Sequence, residues 1–261
     1  IRALKIPDGL NFAGERVPVE KPDIRERVDR ELLVNTYWQS NGLLLFKRAN
    51  KYFPVIEPIL AKHGVPDDFK YLAVIESGLQ NVTSPVGARG FWQLMKGTAR
   101  ENGLEVNSNV DERYHIEKST EVACKYLLSA KEKFGSWTMA AAAYNAGRTG
   151  IIRKINAQKV DDYYDLLVAE ETKRYVPRMI AVKEILSNPE KYGFLFDKED
   201  LYQLADVKTV AVDTAITNIA NFSKAMGINY KILKLHNPWL RENHLNNKSR
   251  KLYHIKIPVE S

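Results

Sequence analysis

A glutamate closes an apolar run in residues 71–80, YLAVIESGLQ. Phe69, Leu72, Ala73 and Glu76 stand at i, i+3, i+4 and i+7, so a helix would carry them on one face. That face is apolar, and a carboxylate on it is costly. Gly78 falls where a helix C-cap belongs, which puts Glu76 in the last turn, beside the negative end of the helix dipole. Desolvation and dipole both raise the pKa of a glutamate. A carboxylic acid still protonated near neutral pH is suited to general-acid chemistry. Two ordinary readings compete: the side chain bends out to solvent, or it pairs with a buried arginine.

Other chemistries have less to draw on. Cys124, the single cysteine, lies among apolar neighbours in STEVACKYLLSAKEKF and reads as a buried structural thiol. It excludes an intramolecular disulfide and any cysteine-based metal cluster. His63, His115, His236, His244 and His254 show no HxxxH or HExxH spacing, so neither a metal nor a cofactor is expected. A net charge of +7 suggests anionic surroundings or an anionic partner. The lysines and arginines are scattered over helix faces without a basic stripe, so nucleic acid is not expected. Asn81-Val82-Thr83 fits a glycosylation sequon, a triplet common by chance. Apolar residues make up 44% and charged residues 27%, as in a globular protein, and no window reaches the roughly 18 apolar residues of a membrane span. The opening IRALKIPDGL lacks a signal-peptide pattern, which leaves open a leader removed beforehand.

The elements that must position Glu76 read as follows. Residues 1–22, punctuated by Pro and Gly, are expected to form an extended arm. Two helical patterns follow, RERVDRELLVNTYWQ and LLLFKRANKYFPVIEPILAKH, the second perturbed by Pro54 and Pro58. Asp67 or Asp68 is expected to cap the Glu76 helix. NVTSPVGARGF is a turn-rich surface connection, and further helices are expected at 93–102, 117–134, 137–146 and 172–187. The first two-thirds is thus all-helical. After KYGFLFDKED the character changes: VKTVAV (207–212) and LYHIKI (252–257) alternate like strands around two short helical stretches. The expected fold is mainly α, with a small strand-helix-helix-strand α+β module after a boundary near 197–205.

Four stretches line up along the chain: Glu76-Ser77, Gly90-Phe91-Trp92-Gln93, Ala143-Tyr144-Asn145, and Glu171-Thr172-x-x-Tyr175-Val176. Their order and spacing resemble the ES, GxxQ, AYN and ETxxYV pattern of lytic murein transglycosylases of the soluble-lytic-transglycosylase type. These are relatives of goose-type lysozyme, and the likeness is greatest to the membrane-bound lytic murein transglycosylase D group. It runs from about residue 20 to 190. The usual Met-Pro after the glutamine appears here as Leu94-Met95-Lys96-Gly97, a departure that does not touch the acid.

The resemblance implies a lysozyme-like catalytic domain over 23–196 and peptidoglycan glycan strands as partner. Glu76 would be the sole acid/base, protonating the oxygen between N-acetylmuramic acid and N-acetylglucosamine. The substrate's N-acetyl group would support the charge at C1. The muramic C6 hydroxyl would attack, giving up its proton to Glu76 and leaving a 1,6-anhydro sugar without consuming water. Ser77 and Gln93 would hydrogen-bond the sugar, though either could cap a helix end or turn. Tyr144 would reach Glu76 or substrate, unless it is a core tyrosine. Asn145 would bind substrate or close its helix. Glu171 and Tyr175, at i and i+4, would position and line the cleft, with a solvated surface charge as the alternative for Glu171. Residues 197–261 resemble a LysM glycan-binding domain through DTAITNIANFSKAMGINYKILKLHNPWL and Asn237-Pro238. A small domain that merely braces the catalytic one is the other reading. By the same resemblance the setting is periplasmic, with membrane anchoring through a missing N-terminal segment left open. A hydrolytic muramidase and a non-catalytic peptidoglycan binder stand as alternatives.

Overall fold

The computed structural model describes residues 1–259; the last two residues expected in the C-terminal module, 260 and 261, lie outside the described residues. In chain order the elements are β1 (Asn11–Phe12), β2 (Glu15–Arg16), α1 (Pro22–Tyr37), α2 (Gln39–Lys62) and α3 (Lys70–Ser77). Next come α4 (Lys96–Glu101), α5 (Ile116–Phe134), α6 (Trp137–Ala146), α7 (Arg148–Gln158) and α8 (Glu170–Ser187). The chain ends with β3 (Val207–Val212), α9 (Ile219–Ala225), α10 (Tyr230–His236) and β4 (Tyr253–Pro258). It divides into two compact units, residues 1–79 with 120–202, and residues 80–119 with 203 onward. The chain passes between the units at 79/80, 119/120 and 202/203, so residues 80–119 group with the C-terminal residues.

In the first unit α8 packs against α1, α3 and α6. Its sequence allows this because Tyr175, Val176, Pro177, Met179, Ile180 and Val182 bury several faces at once. Pro177 cannot donate to the carbonyl of Lys173, four residues back. The hydroxyl of Tyr163 lies 3.0 Å from that carbonyl and 2.6 Å from the carbonyl of Thr172, so the helix keeps a donor there. Ala140 to Ala143 are fully buried in α6, where small side chains let neighbouring helices approach closely. Helix α2 runs unbroken through Pro54 and Pro58, which are both exposed and stand four residues apart on one face of the helix.

Residues 1–22 are not simply an extended arm. They carry the β1–β2 hairpin, and Phe12 is fully buried edge-on against Phe69, with ring centroids 5.1 Å apart. The Glu15 carboxylate accepts hydrogen bonds from the backbone amides of Trp137 and Thr138, at 2.8 Å each, and from the Thr138 hydroxyl at 2.7 Å. It sits at the positive end of α6 and satisfies amides that have no partner within the helix. The capping expected of Asp67 or Asp68 is also corrected. Pro66 opens a 3₁₀ turn over Asp67–Phe69, and neither aspartate caps α3. Asp68 instead accepts from Lys183 Nζ and the Ala13 amide, both at 2.7 Å.

In the second unit β3 and β4 pair antiparallel with Val210 opposite Ile255 and Val212 opposite Tyr253. Asn218 and Asn229 cap α9 and α10, each accepting a backbone N–H at 2.9 Å. Asn237 is fully buried. It donates to Leu233 O and Lys256 O and accepts from Lys256 N, joining the end of α10 to β4. The helix expected at 93–102 begins only at Lys96, and α7 was not anticipated. No helix among the described residues is long and apolar enough to cross a membrane.

Candidate active site

Helix α3 ends as its sequence requires. Gly78 adopts φ 60 and ψ 30, the left-handed C-cap conformation, and its amide donates to Val74 O at 2.8 Å. This leaves Glu76 in the last turn with Phe69, Leu72 and Ala73 fully buried along the same face. The Glu76 side chain is itself mostly withdrawn from solvent, and its Oε1 accepts a hydrogen bond from the hydroxyl of Tyr175 on α8. Burial raises its pKa to about 7, against the hydrogen bond from Tyr175, which lowers it; the charge of Glu171 raises it further and that of Arg178 lowers it. A carboxyl held near 7 can both give and take a proton at neutral pH.

Tyr144 and Tyr175 flank this carboxyl electrostatically. Burial first, and then the charge of Glu76, push both phenols well above their ordinary range, so both stay neutral. The ring of Tyr144 meets Tyr126 edge-on at 5.3 Å. Asn145, at the end of α6, accepts from the Thr172 hydroxyl at 2.8 Å, which ties α6 to the first turn of α8. Ser77 is buried and donates to Ala73 O at 2.9 Å, a helix-end bond of the kind its alternative reading describes. Glu171 is exposed and acts on Glu76 through space.

Gln93 belongs to the second unit. It lies in a turn at φ 49, and its Nε2 donates to Val82 O at 3.0 Å and Gly90 O at 2.9 Å. Gly90 has φ 81, and a Cβ there would stand 2.0 Å from the carbonyl oxygen of Arg113. Only glycine fits that position.

Two residues of the site region escaped the sequence reading. Glu31 on α1 is almost fully buried, with Oε1 at 2.7 Å from both Arg30 and Arg174, and Oε2 at 3.8 Å from Arg178. Arg178 therefore stands between two carboxyl groups, Glu31, which it faces, and Glu76, whose pKa it lowers. The signal was present: Ile24, Val28 and Glu31 stand at i, i+4 and i+7 on the buried face of α1, and Arg178 follows Tyr175 by three. Cys124 is fully buried, its thiol pushed up to about 12 by burial. Among the described residues no group of three or more His, Cys, Asp or Glu side chains is placed to hold a metal ion.

Comparison with known families agrees with this architecture. Residues 54–167 match the transglycosylase SLT domain, and residues 208–261 match the soluble lytic transglycosylase C-terminal LysM-like domain. The chain belongs to the SLT-domain lytic transglycosylase family and carries a LysM-like domain at its C-terminal end. It is a distant homologue of membrane-bound lytic murein transglycosylase D of Escherichia coli K12, 31% identical over 198 residues. The same identity holds for the protein of that name from E. coli O6:H1. The alignment takes in 72% of this chain and 43% of the relative, so the chain spans less than half of that protein's length. Among solved structures, the 70 kDa soluble lytic transglycosylase of E. coli is similar over 59% of this chain and 27% of its own, at 22% identity and TM-score 0.45. An inactive mutant of lytic transglycosylase Slt from Pseudomonas aeruginosa covers 59% of this chain and 26% of its own, at 21% identity and TM-score 0.41.

Proposed function

We propose that this protein is a peptidoglycan lytic transglycosylase that uses Glu76 as its single general acid and base. The observation that carries the reading is one partly buried carboxyl with a pKa near 7, fixed by Tyr175 at the capped end of α3. In this reading the protonated Glu76 donates to the glycosidic oxygen between N-acetylmuramic acid and N-acetylglucosamine, and that bond breaks. The substrate's N-acetyl group supports the positive charge at C1. The C6 hydroxyl then bonds to C1 and passes its proton to the Glu76 carboxylate, which restores the acid. The products are a 1,6-anhydro-muramic end and a free glycan end, and no water is used.

The other motif residues take supporting roles. Tyr175 orients the acid. Tyr144, neutral at working pH, is assigned to the acid or the sugar as a hydrogen-bonding partner. Asn145, Ser77 and Gln93 are assigned to substrate binding or to holding the backbone that binds it, and Glu171 to keeping the acid's pKa high. Residues 23–196 are assigned to the transglycosylase domain and 197–261 to the LysM-like module. A peptidoglycan substrate implies a periplasmic setting, where its peptide carboxylates would suit a chain of net charge +7.

The test is release of soluble fragments from purified peptidoglycan by the wild type and by Glu76→Gln, which keeps the shape and removes the acid. The wild type releases fragments and the variant does not. Equal release by both would remove Glu76 from the mechanism, and binding of insoluble glycan without release by either would make this a binding protein.

A further inference from the structure

The segment that carries Gln93 is bonded to the C-terminal module residue by residue. Val110 and Tyr114 lie in one buried cluster with Ile219, Leu233, Trp239 and Ile255 of the module. Asn109 is 5% exposed, and its polar groups are all used. Its Nδ2 donates to Glu242 Oε2 at 2.9 Å and His244 O at 2.8 Å, and its Oδ1 accepts from Asn246 N at 2.8 Å. Its carbonyl accepts from Arg241 N, and the next-but-one amide, Asp111 N, donates to Trp239 O, both at 2.9 Å.

From Asp111 the bonds run back to the turn. The fully buried Asp111 carboxylate accepts from Arg113 Nε at 2.9 Å and Nη2 at 2.8 Å, and from Arg89 Nη1 at 3.1 Å. Arg113 Nη1 donates to Gly87 O at 3.1 Å and Leu94 O at 3.3 Å, on either side of Gln93. Gly90 packs on the Arg113 backbone so closely that no side chain fits. Trp239, Asp111, Arg113 and the Gly90–Leu94 turn thus form one connected path of hydrogen bonds and close packing.

We propose that the C-terminal module is a positioning element for Gln93, acting through Asn109 and the Asp111–Arg113 pair. This rests on the reading of Gln93 as a substrate-binding residue. A domain whose sole task was to hold glycan would need only a linker to the rest of the chain. This one contributes the partners of a buried asparagine and the backbone acceptor for Asp111, which lie in a segment ahead of it by more than a hundred residues. A buried polar group left without its partners loses more than an exposed one does, so the module's presence determines whether the turn keeps its shape. The module therefore governs turnover as well as any retention on glycan.

The experiment is hydrogen–deuterium exchange on the full chain for the wild type, Asn109→Ala, and Lys251→Met. The last variant removes the module-side ion pairs to Glu105 at 2.8 Å and Glu112 at 3.5 Å. Arg250→Ala, which breaks an exposed pair with Asp213, is the control. Asn109→Ala and Lys251→Met are both expected to speed exchange of residues 87–95 by about tenfold or more while α6 and α8 keep wild-type rates, and the control leaves 87–95 unchanged. Fragment release should fall about tenfold in the same two variants with pelleting on insoluble peptidoglycan retained, as for loss of a positioned contact. Wild-type exchange at 87–95 in both variants would overturn the proposal, as would acceleration spread equally over α6 and α8. A wild type that releases no fragments would defeat the enzymatic reading alone, since the exchange result is read without turnover.

Discussion

The hydroxyl of Tyr175 donates a hydrogen bond to Oε1 of Glu76 across 99 residues of sequence. The bond favours the ionised carboxylate, while burial favours the neutral acid, and burial is the larger effect. An acid with burial alone would hold its proton too tightly to work as a base in the second half of a reaction. Tyr175 draws it back toward neutrality.

Tyr175→Phe removes that donor, so the pKa of Glu76 should rise above its present value of about 7. Rate against pH in the wild type should fall on the alkaline side with a midpoint near 7, because the acid must begin protonated. In the variant that limb should move to higher pH while the maximal rate drops by about tenfold or more from lost orientation. An unmoved limb would show that another group sets it.

Stability should carry the same signature. The folded pKa of Glu76 is raised, so the folded state binds more protons than the unfolded chain between 4.5 and about 7. Stability is therefore greatest below 4.5 as far as this group is concerned, and declines as pH rises to about 7. Glu76→Gln removes the penalty. At pH 8 the variant should be more stable than the wild type by at most about 3 kcal/mol, and at pH 4 by almost nothing. Denaturant midpoints at the two pH values measure this. A difference independent of pH would mean that Glu76 titrates as an ordinary surface glutamate.

Glu31 offers a separate test, since it balances Arg30, Arg174 and Arg178 in a buried setting. Glu31→Gln leaves those part-exposed guanidinium groups without their anion and should cost about 1–3 kcal/mol, since solvent screens the charges left behind. Arg178 lowers the pKa of Glu76, and an Arg178 no longer held by Glu31 should lower it more. The alkaline limb should then shift to lower pH, opposite to Tyr175→Phe. Chemical denaturation and a rate profile on the surviving folded protein separate the two effects.

Tyr163→Phe should weaken α8 at its proline. The Tyr163 hydroxyl serves the Lys173 carbonyl that Pro177 cannot serve. Loss of a donor to this part-buried carbonyl should cost about 0.5–1.5 kcal/mol, read as a lowered denaturant midpoint with unchanged slope. A wild-type midpoint would mean that the carbonyl is satisfied some other way.

What could be read in advance was local. Gly78 announced the end of α3 and so placed Glu76 in its last turn, because a left-handed cap depends on one residue. The strands, expected at 207–212 and 252–257 and found at 207–212 and 253–258, were legible from alternation, and the two short helical stretches between them from their pattern, while the caps by Asn218 and Asn229 came only with the structure. Contacts between distant segments were not. Nothing near Glu15 says that it will cap α6, or near Phe12 that it will meet Phe69. Asp67 and Asp68 had the right type for caps, but Pro66 sets a 3₁₀ turn there and Lys183 claims Asp68. Helix α7 was hidden by Gly150 and by a polar face that gives Ile151, Ile152 and Ile155 little company. The motif supplied Gln93 its expected role, while the turn that holds it depends on Arg113 and on a module that begins more than a hundred residues later.

The central claim, that one carboxyl works alone and water takes no part, is tested most directly by running the reaction in H₂¹⁸O and weighing the products. The account predicts muramic ends lighter by one water than reducing ends and free of ¹⁸O, with no such product from Glu76→Gln. One ¹⁸O at each new reducing end would contradict it, and would make the protein a muramidase.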